Sequence, residues 1–219
     1  MTVVDRIHER IAGKRLLDHP FYQAWSMGTL TRENLQTYAQ QYYHWVSAFP
    51  TWLSATHANA PDLEMRQELL ANLMDEELGP DNHPELWLRF CDALGLDRES
   101  VKHATLFPET REAIETMRRL SRDEPAVASL AALYAYESQQ PAVMKTKLEG
   151  LKGMYGLTSG CEYFEVHETL DVEHSAGERA MIAKHATGAE AAVYWAADRA
   201  LEATYLLLDG VEKARRGIQ

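Results

Sequence analysis

The chain has 219 residues and a formal net charge of −11 at pH 7, and 46% of its residues are apolar. This negative charge argues against a nucleic-acid-binding surface and against attachment to anionic membranes. The two cysteines, Cys91 and Cys161, are too few for a disulfide framework, and we expect reduced thiols. Because the N-terminal segment is charged from residue 5 and no apolar run is long enough for a membrane span, we expect a cytoplasmic protein with one domain over residues 1–219.

Apolar residues recur at helical spacing along nearly the whole chain, and no segment shows the alternation of a strand. Caps, prolines and glycines divide this pattern into helices. The predicted helices are, in chain order, Val4 to about Gly13, Pro20 to near Gly28, a long helix after the N-cap Thr31 with a kink at Pro50, one from Pro61 and Asp62 to Gly79-Pro80, one closed by Gly95, a short one in DRESVKHA, one from Pro108, one that bends near Pro141, one capped by Thr158 or Ser159, and a last one in GAEAAVYWAADRALEATYLLLDGVEKARR. The sequence therefore predicts an all-α domain of eight or more helices.

The segment EYFEVHETLDVEHSAGE places three metal-ligand side chains on one helical stripe. His167, Asp171 and His174 are spaced i, i+4 and i+7, so they point the same way within about 60° of arc. Two imidazoles and a carboxylate in this arrangement are typical of a metal-ligand set. The alternative is an exposed polar face, because further glutamates share the helix.

One stripe does not close a metal site, and facing helices of a bundle would supply further ligands. Glu137 interrupts an apolar helix face, seven and four residues after Leu130 and Leu133. A buried carboxylate without a partner is costly, so this position favours a metal ligand over a lone acid bonded to a hydroxyl or an amide.

Glu76 lies on the core stripe of its helix, seven and three residues after Leu69 and Leu73. Glu77 is its rival, whereas Asp75 is expected to be solvated. His83 follows Glu76 by seven residues, but Gly79-Pro80 must break or bend the helix between them.

Together these residues supply three carboxylates and three imidazoles without a thiolate. Oxygen and nitrogen ligands suit iron or manganese better than a structural zinc site. The composition predicts redox chemistry, with hydrolysis by a metal-bound water as the alternative.

The pattern Glu76-x6-His83, Glu137, then His167-x3-Asp171-x2-His174 resembles that of the haem-oxygenase-like dimetal oxidases. The segment HPFYQAWSMGTLTRENLQTYAQQYYHWV is similar to the opening helices of PqqC-like and TenA-like proteins. Within this group the chain most resembles the branch typified by chlamydia protein associating with death domains. The resemblance implies a haem-oxygenase-like bundle of seven to eight core helices and two metal ions, Fe/Fe or Mn/Fe, bound by those six residues.

The resemblance also implies an activity, the oxygen-dependent making of para-aminobenzoate for folate by self-sacrifice of the protein. Tyr22 in HPFYQAW matches the tyrosine that is cleaved, and Lys147 in AVMKTKLEG matches the lysine that supplies the amino group. Tyr38, Tyr136 and Tyr163 match tyrosines that act near that site as radical relays or pocket walls. We further expect dioxygen and an external reductant as reaction partners, and a homodimer.

Other interpretations remain at this stage. Tyr22 could be an ordinary core aromatic, and Lys145 and Lys152 are rivals of Lys147. The chain could be a conventional dimetal oxidase or N-oxygenase that acts on a small external amine or fatty acid. It could also be a metal-free PqqC-like or TenA-like enzyme, of which the TenA type would need a nucleophilic cysteine such as Cys161, or a non-catalytic helical interaction protein.

Overall fold

The computed structural model of the protein describes residues 1–218, apart from the side chains of Thr169, Asp171, Val172 and Glu173. The described residues form eleven α-helices and one 3₁₀ helix, and none of them lies in a strand. The α-helices are α1 (Val3–Gly13), α2 (Pro20–Ser26), α3 (Arg32–Asn59), α4 (Leu63–Glu77), α5 (His83–Ala93), α6 (Arg98–Lys102), α7 (Pro108–Asp123), α8 (Ala126–Glu137), α9 (Gln140–Gly153), α10 (Glu162–His185) and α11 (Glu190–Arg215), and the 3₁₀ helix is Leu16–Asp18. The all-α class predicted from the sequence is confirmed. Among the described helices, none combines the length and the apolar character that a bilayer crossing requires.

Helix α8 lies in the interior of the bundle, and every one of its residues is buried. Its many alanines leave room for neighbouring helices to approach, and α11, α10, α7 and α3 all pack against it. Helix α3 also contacts α4, α5 and α7, and α10 contacts α9. Because Glu137 is the last residue of α8, the fold itself carries this carboxylate into the interior.

The connection between α4 and α5 reverses the chain over a few residues. Gly79 has a φ of +84°, a conformation that favours glycine, and Pro80 cannot continue the helix. The Asn82 side chain then accepts a hydrogen bond from the backbone N–H of Glu85 and caps α5. As a result, the last turn of α4 and the first turn of α5 lie side by side.

Two predicted helix features were wrong. The expected bend near Pro141 is a break between two helices, since α8 ends at Glu137 and α9 begins at Gln140 with the proline in its first turn, where no N–H is needed. Neither Thr158 nor Ser159 caps α10, whose N-cap is Cys161. Gly160 turns the chain first, with a φ of +69° and so little space that a Cβ would lie 2.6 Å from the Arg89 carbonyl oxygen.

Candidate metal centre and tyrosine cluster

The reversal between α4 and α5 brings a carboxylate and two imidazoles together. The Nδ1 of His83 lies 2.7 Å from Oε2 of Glu76, and the ring centroids of His83 and His167 are 4.2 Å apart. One ligand atom from each of the three residues lies within 4.8 Å of the other two, and all three side chains are buried. Donor atoms this close together and shielded from water can bind one metal ion.

The protonation of this group suits a metal. The Nδ1 of His167 donates to the backbone carbonyl of Tyr163 at 2.6 Å, which leaves the lone pair on the other ring nitrogen. Burial and the adjacent His83 hold the pKa of His167 well below its usual value, so the ring is neutral, as a metal ligand must be. Despite its closeness to Glu76, the Nδ1 of His83 makes no hydrogen bond within the described chain. A cation between the two groups would satisfy both of them.

A second group of polar side chains adjoins the first. Asn72 donates from Nδ2 to both carboxylate oxygens of Glu137, at 3.1 and 3.3 Å. The Nε2 of His174 lies 3.0 Å from Oδ2 of Asp75. Burial raises the pKa of Glu137, whereas His174 and Asn72 act in the opposite direction, and the charge of Glu76 acts on it too. The second group therefore offers a carboxylate and an imidazole to a second ion close to the first.

Lys147 is a buried amine enclosed by aromatic rings. Its side chain is 1% exposed, and Nζ lies 4.8 Å from the ring centroid of Tyr22, 5.2 Å from that of Tyr38 and 4.9 Å from that of Tyr42. Nζ also donates a hydrogen bond to the Tyr38 hydroxyl at 2.7 Å. Burial holds the pKa of Lys147 well below its ordinary value. This shift favours the amine form, whose lone pair can act as a nucleophile.

Four phenol groups connect this amine with the metal side of the bundle. The hydroxyls of Tyr22 and Tyr38 lie 3.1 Å apart, and those of Tyr42 and Tyr136 lie 2.7 Å apart. The hydroxyls of Tyr22 and Tyr42 are also within hydrogen-bond contact. Burial raises the pKa of Tyr22, Tyr38 and Tyr136 well above the usual value, so all three phenols are protonated. The result is a chain of hydroxyls from Lys147 to Tyr136.

Tyr136 also lines a small cavity beside the ligand groups. The cavity offers about 10 Å³ to the centre of a water-sized sphere, which is the space of about one such molecule. Its lining includes Glu76, Glu137, Tyr163, His167 and Tyr136. Ligand pockets for small organic molecules are commonly a few hundred Å³, so this space suits a diatomic gas or water and not an arylamine or a fatty acid.

The structure brings most of the predicted site residues together. Glu76 is buried and faces the histidines, whereas its rival Glu77 is exposed. Tyr163 packs on His167 with ring centroids 4.0 Å apart. The predicted ligand Asp171 lies outside the described residues. Both rivals of Lys147 are exposed, and one of them, Lys152, is paired with Glu165 at 2.8 Å.

Asp75 was predicted to be solvated, and its side chain is indeed 47% exposed, yet it holds the ring of His174. A carboxylate on the second nitrogen of a metal-binding histidine fixes the tautomer and the orientation of the ring. Asp75 can be partly exposed and still contact His174 because the end of α4 lies beside α10. The sequence pattern alone did not show this contact.

Two buried residues of the site were missed by the sequence reasoning, Asn72 and Tyr42. Each is four residues from a predicted site residue on the same helix and therefore shares its face. That spacing was a usable signal, but an asparagine and one of several tyrosines carry little information by type.

A family model described as iron-containing redox enzyme matches residues 36–205 of the chain. The 4-aminobenzoate synthase of Nitrosomonas europaea is 44% identical over 97% of this chain and 92% of that protein. The 4-aminobenzoate synthase of Chlamydia muridarum is 42% identical over 83% of this chain and 78% of that protein. The crystal structure of a TenA homologue from Pseudomonas syringae superposes with a TM-score of 0.82 at 16% identity, over 96% of this chain and 93% of that one. The predicted haem-oxygenase-like fold is confirmed, as is the resemblance to the dimetal oxidases.

Proposed function

Since the chain belongs to the family of iron-containing redox enzymes, we propose that it makes 4-aminobenzoate from its own Tyr22 and Lys147, using dioxygen, an external reductant and two metal ions, Fe/Fe or Mn/Fe. Two relatives at 44% and 42% identity carry the name 4-aminobenzoate synthase. The observation that carries the proposal is the buried amine of Lys147, which lies 4.8 Å from the ring centroid of Tyr22 and whose pKa burial holds well below its ordinary value.

The ligand groups give the metal ions a place in this proposal. Glu76, His83 and His167 would hold one ion, and Glu137 and His174 would contribute to the other. The ligand types, carboxylate and imidazole, suit iron and manganese. When bound, these ions supply oxidation by dioxygen.

The residues around Tyr22 prepare it for amination. The product keeps an aromatic ring with a nitrogen opposite its carboxyl carbon, so the phenol oxygen of a tyrosine must give way to nitrogen. Oxidation by dioxygen withdraws electrons from the ring and makes it an electrophile, and Nζ of Lys147 is close enough to attack. In the net reaction, the phenol oxygen leaves as water, the Nζ–Cε bond of Lys147 and the Cα–Cβ bond of Tyr22 break, and dioxygen with the external reductant accounts for the oxidation of Cβ to the carboxyl group. The hydroxyl of Tyr38 accepts the hydrogen bond from Lys147 and also contacts the hydroxyl of Tyr22. These two contacts fix the position of the amine relative to the phenol ring of Tyr22.

The site is also closed to water. Tyr22, Tyr38 and Lys147 are buried, and the metal-side cavity has room for about one small molecule. Exclusion of water protects an oxidised ring from hydrolysis. The small cavity also favours an internal substrate over an external amine or fatty acid, which is the competing proposal.

Isotope labelling separates the two proposals. Protein made with ring-¹³C tyrosine and ¹⁵N lysine would be loaded anaerobically with Fe²⁺ and Mn²⁺, then given reductant and oxygen without free amino acids. We expect 4-aminobenzoate that carries both labels, at no more than about one molecule per chain, and a matching loss of mass at Tyr22. Unlabelled product would refute the internal origin.

Two pairs of variants test the residues. Tyr22→Phe and Lys147→Arg should each abolish labelled product, because one removes the reacting phenol and the other the nucleophilic amine. Tyr43→Phe and Lys145→Arg are matched controls on α3 and α9, outside the cluster, and should leave the yield unchanged. A normal yield of labelled product from Tyr22→Phe would contradict the assignment of Tyr22 as the consumed residue.

A further inference from the structure

Glu178 is a buried acid on α10 that the proposed reaction does not use. Its side chain is 2% exposed. It follows His174 by four residues and His167 by eleven, so the three side chains lie along one face of the helix. A glutamate is seldom this deeply buried unless it is paired or binds a cation.

Another buried acid lies beside Glu178. The carboxyl group of Glu137, at the end of α8, is close enough for the two side chains to interact, and Glu137 is itself 2% exposed. Asn72 donates to both oxygens of Glu137. Two carboxyl groups that are buried side by side are oxygen donors of the kind that a divalent cation binds.

His174 supplies an independent sign of a ligand at this place. Its Nε2 faces the carboxylate of Asp75 at 3.0 Å, which assigns the ring proton to that nitrogen. Its Nδ1 is buried and has no hydrogen-bond partner in the described part of the chain. The ring also lies near the carboxyl group of Glu137. An imidazole lone pair and carboxylate oxygens are the donor types of a divalent transition-metal site.

Helix α4 faces this turn of α10. At the residue before Glu178, Gly177, a Cβ would lie 1.6 Å from Oε1 of Glu68, the end of a side chain of α4. The turn of α10 that carries Glu178 therefore lies against the helix that carries Asn72 and Glu76.

We propose that Glu178 is a ligand of the second metal ion, together with Glu137 and His174. Glu76, His83 and His167 would then serve the first ion, and the second ion would take Glu137, His174 and Glu178, all of which are buried. The proposal rests on the proposed function only in that both need metal in the bundle. The proposal adds to the metal site the carboxylate of Glu178, which is not among the six predicted ligands.

Metal binding tests this without reference to product. Equilibrium dialysis of the full chain against Mn²⁺ or Fe²⁺ under anaerobic conditions gives the number of ions and their affinities, and the rise in Tm on adding Mn²⁺ gives a second readout. We expect two ions in the wild type, and in Glu178→Gln a loss of affinity for one of them of at least about tenfold. Glu77→Gln, an exposed acid on α4, is the control and should bind like the wild type.

Circular dichroism and the Tm of the metal-free proteins establish that each variant is folded. If Glu178→Gln is not folded, Glu178→Asp keeps the charge on a shorter side chain and should likewise weaken one ion. Two ions bound at wild-type affinity by the folded variant would overturn the proposal and assign Glu178 as the protonated partner of Glu137. A wild type that binds two ions but makes no 4-aminobenzoate would refute the proposed function and leave this proposal standing.

Discussion

Replacing the buried amine should change how the stability of the protein depends on pH. In the folded state the pKa of Lys147 lies well below 10.5 because of burial, whereas in the unfolded chain it returns to about that value. Between these two pKa values the unfolded chain binds one more proton at this residue than the folded protein. Stability therefore rises with pH across this window and is lost again as the pH falls toward the folded pKa.

The slope of the free energy of unfolding against pH follows from the binding of a single proton and not from the size of the pKa shift. Between the folded and unfolded pKa values it is about 1.4 kcal/mol per pH unit. Lys147→Met fills a similar volume and cannot titrate, so it removes this contribution. The free energy of unfolding of the wild type minus that of Lys147→Met should therefore rise with pH at this rate between the two pKa values.

Urea unfolding of the metal-free proteins at pH 7, 8 and 9 measures this difference. Because all other titrating groups are shared, their contributions cancel when the two curves are subtracted. Lys145→Met, an exposed position on the same helix, is the control and should run parallel to the wild type. Parallel curves for Lys147→Met and the wild type would show that the amine is charged in the folded protein, and the argument for a nucleophilic lysine would fail.

Two further substitutions test the surroundings of the amine. Tyr42→Phe removes the hydroxyl that contacts the hydroxyl of Tyr136 beside the metal-side cavity. Product should then form at least about tenfold more slowly than in the control Tyr43→Phe, with metal binding unchanged in both variants. Equal rates of product formation would exclude a role for the Tyr42 hydroxyl. Gly150→Ala places a Cβ 2.7 Å from Nε1 of the buried Trp25 and should lower the free energy of unfolding by about 1–3 kcal/mol. Gly153→Ala, on the same helix with open space around it, should instead stabilise by up to about 1 kcal/mol, so equal effects in urea unfolding would contradict the packing argument.

The sequence was sufficient for the fold class and for the positions that interrupt an apolar stripe. Glu76 and Glu137 stand where leucines would be expected, and both are buried at the ligand groups. The Gly79-Pro80 break predicted a bend, and the structure shows why a bend helps, because it lays His83 against Glu76. Acidic residues at apolar positions can be identified from the sequence as site residues because burying a carboxylate is costly unless it has a partner.

Contacts between helices could not be read in the same way. Periodicity gives the inward face of a helix but not its neighbour, so neither the pairing of Asn72 with Glu137 nor that of Asp75 with His174 was visible. The start of α10 was misjudged for a related reason. Thr158 and Ser159 are good caps by type, but the close approach of Gly160 to another helix decides where the turn falls.

In the proposed function, the separation of the amine from the acids lets each play its part. A carboxylate beside Lys147 would raise its pKa and favour the ammonium form, which would remove the proposed nucleophile. Burial is the one cause that lowers this pKa, and no acid of the described chain acts against it. Aromatic rings surround the nitrogen instead, with Phe164 of α10 as a further wall. The buried carboxylates are therefore left without an ammonium partner, and cations of another kind, the metal ions, are what their charge requires.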